Sequence, residues 1–313
     1  MPFISIFIPA YKNIGFLKRL LESIRVQNFT DYEVIVTDDS PGNEVELLTA
    51  QYILNNASWH YLRNDPAQGM PKNWNRGLGL CQGEWLKIMH DDDWFSSSDS
   101  LGIFAERAQN TNKTFLFSAY TNVYANGKTE QKNVGNYRKN LLAKEPMSLL
   151  SDNVVGPPSV CMVHHSVKQL YDERLRWRVD IDYYIRVLQG GNGFCYMDEP
   201  LVNIGIGTEQ ITNEVKYNKA VELPEALIIL HKYGVSSLRN IVVYDSWWRF
   251  VRNLKIQSVS DLNKYVDCER WPIIIQFIVK DLNKLPPSLQ RNGGISKLAM
   301  LLSYFKNYSK INA

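Results

Sequence analysis

The chain has 313 residues, of which 45% are hydrophobic and 21% charged, and a formal net charge of +3. That balance suffices to bury one large core, or a core with an appended subdomain, and it excludes general disorder. The charge is unevenly placed: residues 215–313 hold 15 Lys+Arg against 7 Asp+Glu, so the first 214 are net acidic and the two parts are expected to meet different partners.

The opening apolar run, Phe3 to Ile8, is only ~6 residues long and has neither a basic leader nor a small-residue cleavage site, so it reads as a strand rather than a signal peptide. A cytoplasmic location is the expectation. The longest apolar candidate for a span, Trp271 to Val279, is interrupted by Pro272 and Gln276 and closed by Lys280, too short to cross a bilayer. Cys81, Cys161, Cys195 and Cys268 form no close CxxC pair and are expected as buried thiols.

In chain order, apolar runs alternate with amphipathic helical patterns: strand Ile4 to Ile8, helix Phe16 to Val26, strand Glu33 to Thr37, helix Glu44 to Leu54, strand Trp59 to Leu62, helix Lys72 to Leu80, strand Trp85 to Met89. Continuous apolar strands separated by helices predict an α/β fold whose mostly parallel sheet is covered by helices on both faces. Such sheets bind ligands beyond the carboxyl ends of their strands. A helix from Leu101 to Gln109, short strands over Phe115 to Val123 and a Pro/Gly segment at Gly156-Pro157-Pro158 follow, and read as an acceptor-side half. From Glu214 onward the periodicity is almost wholly helical, which divides the chain into a catalytic domain, 1–213, and a helical C-terminal subdomain, 214–313.

Three of the four strand ends carry acid. His90-Asp91-Asp92-Asp93-Trp94 follows a buried strand, so its carboxylates gather at the mouth of the sheet and repel one another unless a cation intervenes. Clustered hard oxygens suit Mg²⁺ or Mn²⁺ bridging a diphosphate; without context such a triplet reads more simply as an acidic turn capping the next helix, but its place after the fourth strand favours the cation. His90 is a secondary ligand candidate, since a histidine ending a strand is more often an orienting group. Asp38-Asp39-Ser40-Pro41 can accept hydrogen bonds from a base imide or ribose hydroxyls, cap a helix, or do both. Gln68-Gly69-Met70-Pro71-Lys72-Asn73 sets a tight turn before a helix, with Lys72 and Arg76 able to approach phosphate and amides such as Asn73 able to read a base. Asp180 and Asp182 open a further helix, where either can serve as a general base or simply offset the positive helix terminus. Trp94, Trp177, Tyr183 and Tyr184 offer flat faces for a sugar, a role that competes with core packing.

Together, Ile8-Pro9-Ala10-Tyr11, Val36-Thr37-Asp38-Asp39-Ser40, Gly83-Glu84-Trp85, His90 to Trp94 and Asp180-Ile181-Asp182 with Arg186 resemble inverting glycosyltransferase family 2, of GT-A fold, as found in bacterial polysaccharide and O-antigen assembly. The resemblance covers about the first 210 residues. It implies a UDP-sugar or similar donor, nucleotide contact by Pro9, Tyr11, Asp38, Asp39, Asp91 and Asp92, metal binding by Asp92 with Asp91 or Asp93, and base catalysis by Asp180. Asp182, Trp94, Trp177 and Tyr183 fall on the implied acceptor side, where a glycan or lipid-linked hydroxyl would be met. Three positions depart from the family pattern: Val179 stands where an acid is usual, His90 where an aspartate often is, and the Gly205 to Gln210 segment carries no histidine.

In the C-terminal part, Leu298, Leu301, Leu302 and Phe305 share a helical face beside lysines, which predicts either packing against the catalytic domain or contact with an anionic membrane surface. Two other readings are open. A sugar nucleotidyltransferase would need a glycine-rich loop where Pro9-Ala10-Tyr11-Lys12-Asn13 stands, and a scaffold that binds sugar nucleotides without turnover would fit Val179 and the missing histidine. No nucleic-acid partner is expected, because the basic residues are dispersed.

Overall fold

The computed structural model describes residues 1–54, 56–207, 215, 217–266 and 271–311. The 208–210 stretch, the boundary expected at Asn213 and Cys268 fall outside the described residues. The chain forms two compact units. The first takes in Met1–Pro146, Val154–Glu173 and the chain from Val179 to the end of the last strand. The second combines the later helices with two short earlier segments, Met147–Asn153 and Arg174–Arg178.

The first unit follows the predicted alternation: β1 (Ile4–Ala10), α1 (Ile14–Arg25), β2 (Tyr32–Asp38), α2 (Glu44–Ile53), β3 (Trp59–Arg63), α3 (Met70–Leu80) and β4 (Trp85–Ile88). Next come β5 (Trp94–Phe95), α4 (Ser100–Gln109), β6 (Phe115–Tyr124), β7 (Thr129–Lys132), α5 (Asn136–Lys144), β8 (Cys161–His164), α6 (Val179–Gly190) and β9 (Phe194–Ile206). Among the described residues these strands make one sheet of order β3-β2-β1-β4-β8-β6-β9-β5, with β7 paired to β6. The first four strands are mutually parallel, and β6 runs parallel to β9. The remaining pairings are antiparallel, so the sheet is mixed but rich in parallel pairs.

Every residue of β1 is buried, as a central parallel strand covered on both faces requires. Helix α1 turns Leu17, Leu20, Leu21 and Ile24 inward at helical spacing, each fully buried and each worth about 1.5–3 kcal/mol of transfer free energy. Asn13 caps it by accepting from Phe16 N at 3.2 Å. Between α3 and the sheet, Gly77 is needed because a Cβ there would lie 2.8 Å from the Phe7 ring.

The second unit contains α7 (Lys219–Tyr233), α8 (Ile241–Asn253), α9 (Val259–Asn263), α10 (Ile273–Leu282), α11 (Pro287–Gln290) and α12 (Gly293–Asn307). Helices α8, α10 and α12 pack on one another around Trp248, Trp271 and Ile278. Glu225 of α7 is buried, and its carboxylate accepts from the backbone N–H groups of Arg176 (2.6 Å), Trp177 (3.0 Å) and Arg178 (2.8 Å). Among the described residues no helix is long and apolar enough to cross a membrane.

Candidate active site

The strand order puts β1 between β2 and β4. The chain therefore leaves β1 toward one side of the sheet and, after β3, returns on the other, which opens a crevice beyond the carboxyl ends of β1 and β4. The two loops that leave those ends meet: Tyr11 N donates to Asp91 Oδ2 at 3.2 Å. Pro9 lies just before this turn, opposite Thr37 of β2. Tyr11 is 54% exposed, with Lys12 Nζ 4.7 Å from its ring centroid. Lys12 takes a left-handed φ of 63°, unusual for a side chain with a Cβ, and its N–H is satisfied by Ser40 Oγ at 2.8 Å.

The β2 end is a network of carboxylates and amides. Asp38 is fully buried, accepting from Ser40 N and Tyr61 Oη, both at 2.7 Å. Asp39 accepts from Gln68 N (3.0 Å), Gly69 N (2.7 Å) and the Asn64 amide, which ties the β2 end to the start of α3. Asn73 differs from its expected place beside a nucleotide. It is buried, donating to Thr37 O at 3.1 Å and accepting from Asn64 at 2.8 Å, because a side-chain amide three residues into α3 faces the sheet. Lys72, one residue earlier, is exposed.

At the β4 end, His90, Asp92 and Asp93 each offer a ligand atom, and these atoms lie within 4.8 Å of one another. Burial and the neighbouring Asp92 charge push the Asp91 carboxyl up to about 7 and the Asp93 carboxyl well above the usual range. Burial holds the His90 imidazole below its ordinary value, with Asp92 opposing. Asp93 faces inward, hydrogen-bonded to Ser159 and to Gly205 N at 3.2 Å. His90 Nε2 is buried and has no hydrogen-bond partner. Two carboxyls whose burial resists ionisation, Asp91 and Asp93, with Asp92 between them and an unsatisfied imidazole nitrogen beside them, match the donor set of a divalent cation.

Four residues around this turn complete it, of which Arg19, Ser159 and Lys87 were not anticipated from the sequence and Gly205 was noted only as the start of a segment without a histidine. Arg19 of α1 donates to Asp92 O at 2.7 Å and lies 3.6 Å over the Trp94 ring; burial lowers its guanidinium while Asp92 and Asp93 pull it back up. One face of Trp94, expected to be open to a sugar, is therefore covered. Gly205 is a close approach: a Cβ there would sit 2.4 Å from Asp92 O. Ser159 accepts from His90 N at 2.9 Å. Lys87 of β4 is fully buried, donates to Ser159 O at 2.7 Å and Cys161 O at 3.4 Å, and lies 4.1 Å from the Phe104 ring centroid. Of the three unanticipated residues, Lys87 left a signal in the sequence, as a lysine inside the apolar strand Trp85-Leu86-Lys87-Ile88-Met89.

The 159–161 segment that Lys87 holds also leads toward α6. Cys161 feels the charge of Asp180, as do Tyr171 and Tyr184. Asp180 is half-buried in the first turn of α6 and accepts from Ile181 N at 2.8 Å. Asp182 and Tyr183, expected on an acceptor face, are interior instead. Asp182 is completely buried in an i,i+4 ion pair with Arg186 at 2.9 Å, and Arg186 is fixed further by Gln169 and Leu170 O. Tyr183 is 2% exposed and stacks on Tyr171 at 4.2 Å, since residues three and four along an amphipathic helix from buried Val179 share its inward side. Trp177 belongs to the second unit, held there through its backbone by Glu225.

Residues 5–166 match the model of the family described as Glycosyl transferase family 2. The chain is 25% identical over 222 residues to the putative colanic acid biosynthesis glycosyl transferase WcaA of Escherichia coli, covering 69% of this chain and 77% of that protein. Residues 1–349 of S. aureus TarS in complex with UDP-GlcNAc share the fold, with TM-score 0.57 at 14% identity over 98% of this chain and 91% of that one. Of the longer S. aureus TarS structure the match spans 54%. The mannosyltransferase PcManGT of Pyrobaculum calidifontis in complex with GDP-Man and Mn²⁺ also shares it, with TM-score 0.53 at 9% identity over 98% of this chain and 75% of that one. The mixed α/β sheet is thus a GT-A fold followed by a helical C-terminal region.

Proposed function

The chain belongs to glycosyl transferase family 2, and from that premise we propose that it moves a hexose-type sugar from a UDP-sugar to a hydroxyl of a glycan or lipid-linked acceptor, with inversion and with metal assistance. The observation that carries this reading is the meeting of the β1 and β4 ends at the point where the strand order reverses. There Tyr11 joins Asp91, beside the His90, Asp92 and Asp93 cluster. The UDP-GlcNAc of the TarS complex and the GDP-Man and Mn²⁺ of the mannosyltransferase complex support the donor and the metal. The name of the E. coli relative supports a place in polysaccharide assembly.

In this account Pro9 and exposed Tyr11 face the nucleotide, while Asp38 and Asp39 hold the base-side loops in register. Asp92, on the turn it shares with Asp91 and Asp93, would be the principal acid holding Mn²⁺ or Mg²⁺. The bound cation supplies positive charge against the leaving diphosphate. Lys72, at the start of α3, adds a mobile cation on the phosphate side. Asp180 takes the proton of the acceptor hydroxyl as its oxygen attacks the anomeric carbon, and a single displacement inverts that centre. Ile295, Leu298, Leu302 and Phe305 form an exposed stripe along α12, next to Lys306, which suits contact with an anionic bilayer near a lipid-linked acceptor. Failure to sediment with anionic liposomes at low salt would remove that part.

The test of the activity is product identity. Wild type incubated with a panel of UDP-sugars, Mn²⁺ and a panel of glycan and lipid-linked acceptors is expected to release UDP as the acceptor gains a sugar, and Asp92→Ala and Asp180→Asn to do neither. Release of pyrophosphate from a nucleoside triphosphate would contradict the transferase reading.

A further inference from the structure

The metal-assisted reading leaves open which atoms of the β4 turn bind the ion, and four observations bear on it. His90 Nε2 is buried without a partner, although a buried imidazole nitrogen ordinarily finds one. The His90 ring packs on Trp74, ring centroids 4.7 Å apart, and Trp74 is itself braced edge-on by Tyr171 at 5.0 Å. The His90 backbone is fixed by Ser159 Oγ at 2.9 Å, so the ring is aimed before any ligand arrives. Asp93, in contrast, is turned toward Gly205 N and the Ser159 hydroxyl, and Asp91 toward Tyr11 N.

We propose that the His90 imidazole is a direct ligand of the catalytic divalent cation, paired with the Asp92 carboxylate, and that Asp91 and Asp93 are positioning residues which lock the turn. This rests on the metal-assisted reading above and deepens it. A site with one neutral nitrogen and one carboxylate carries one negative charge less than a site of two carboxylates, and it exchanges a hard oxygen for a borderline donor. Imidazole suits Fe²⁺, Ni²⁺ and Zn²⁺ best; Mn²⁺ prefers oxygen but accepts a nitrogen ligand, whereas Mg²⁺ demands oxygen in near-ideal octahedral geometry and keeps its waters. The inference is therefore also one of selectivity: the site discriminates against Mg²⁺, and His90 is the reason.

The direct test is pulsed electron paramagnetic resonance on the full chain loaded with Mn²⁺ and UDP, using protein grown with natural or ¹⁵N-labelled histidine. The proposal predicts a ¹⁴N modulation on the Mn²⁺ signal that changes with ¹⁵N-histidine. In His90→Asp the modulation disappears while Mn²⁺ stays bound, and the Mg²⁺ needed to displace it falls by about tenfold or more. The wild-type spectrum decides the matter even if the variant folds poorly. Mn²⁺ bound without histidine nitrogen coupling, and equal Mg²⁺ competition in both proteins, would overturn the proposal and leave the donor reading standing. Absence of bound Mn²⁺ with UDP, GDP, CDP and dTDP alike would defeat the metal-assisted reading and the proposal with it.

Discussion

Lys87 is the most unusual residue of the β4 strand, and replacing it with methionine isolates its effect. Burial pushes its ammonium down from 10.5 to about 7, only partly opposed by Cys161 and Asp93. The unfolded chain therefore holds a proton on this lysine that the folded chain has largely released between those two values. A depressed folded value means the penalty is greatest below about 7 and fades as pH rises toward 10.5. From pH 7 to pH 9 the folded state should gain about 2 kcal/mol from this group alone. At pH 7 the Met variant escapes that penalty but leaves the Ser159 and Cys161 carbonyls short of a donor, at about 1–3 kcal/mol each, so the two proteins should be of similar stability there. Guanidinium unfolding of both proteins at pH 7, 8 and 9, followed by tryptophan fluorescence, reads the difference. Wild type should pull ahead of Lys87→Met by about 2 kcal/mol over that range. Parallel stability curves would show that Lys87 titrates normally despite its burial.

Other substitutions separate structure from chemistry. Gly205→Ala pushes a methyl group into Asp92 O, so it should destabilise by about 1–3 kcal/mol and weaken Mn²⁺-dependent nucleotide binding, as calorimetry would show. Asp182→Ala strands Arg186 and should cost about 3–5 kcal/mol of stability, whereas Asp180→Asn should leave the melting temperature nearly unchanged and abolish transfer; the opposite pattern would exchange the roles of the two acids. In the second unit, burial would raise the Asp281 carboxyl, but hydrogen bonds from Lys284, Asn307, Lys306 and Ser303 outweigh it and hold the group well below the usual carboxylate range. Its contribution is thus complete above the ordinary unfolded value and lost as pH falls through the folded one. Asp281→Asn should speed hydrogen exchange in α12 at pH 7, corresponding to about 1 kcal/mol after solvent screening, and should make that exchange less sensitive to acid.

The first ninety residues were readable because two periodicities alternate cleanly in them. The parallel strands are mostly apolar, and α1 and α3 carry inward stripes at helical spacing, so the expected and observed bounds differ by a few residues at most. The later strands gave weaker signals. β5 is two residues long, and β9 carries Asp198 and Glu199 where its register against β6 shifts between Ser118 and Ala119, which breaks any apolar run. At the site, the acids after β4 were found by their place in the chain, but their separate orientations were not. Whether a carboxylate faces a ligand or a neighbouring N–H depends on Gly205 and Ser159, more than sixty residues away in sequence. Asp182 and Tyr183 were expected at the surface because an acid and an aromatic near a helix start suggest ligand contact. The i,i+4 partner Arg186 was visible in the sequence and indicated an internal ion pair.

A sugar-nucleotide site at the β1 and β4 ends that depends on a metal would show itself in thermal shift with UDP, dTDP, CDP and GDP, each with and without Mn²⁺. UDP is expected to raise the melting temperature of wild type only when Mn²⁺ is present, and Asp92→Ala to abolish the rise. A rise of equal size without the metal, or one that survives Asp92→Ala, would contradict such a site.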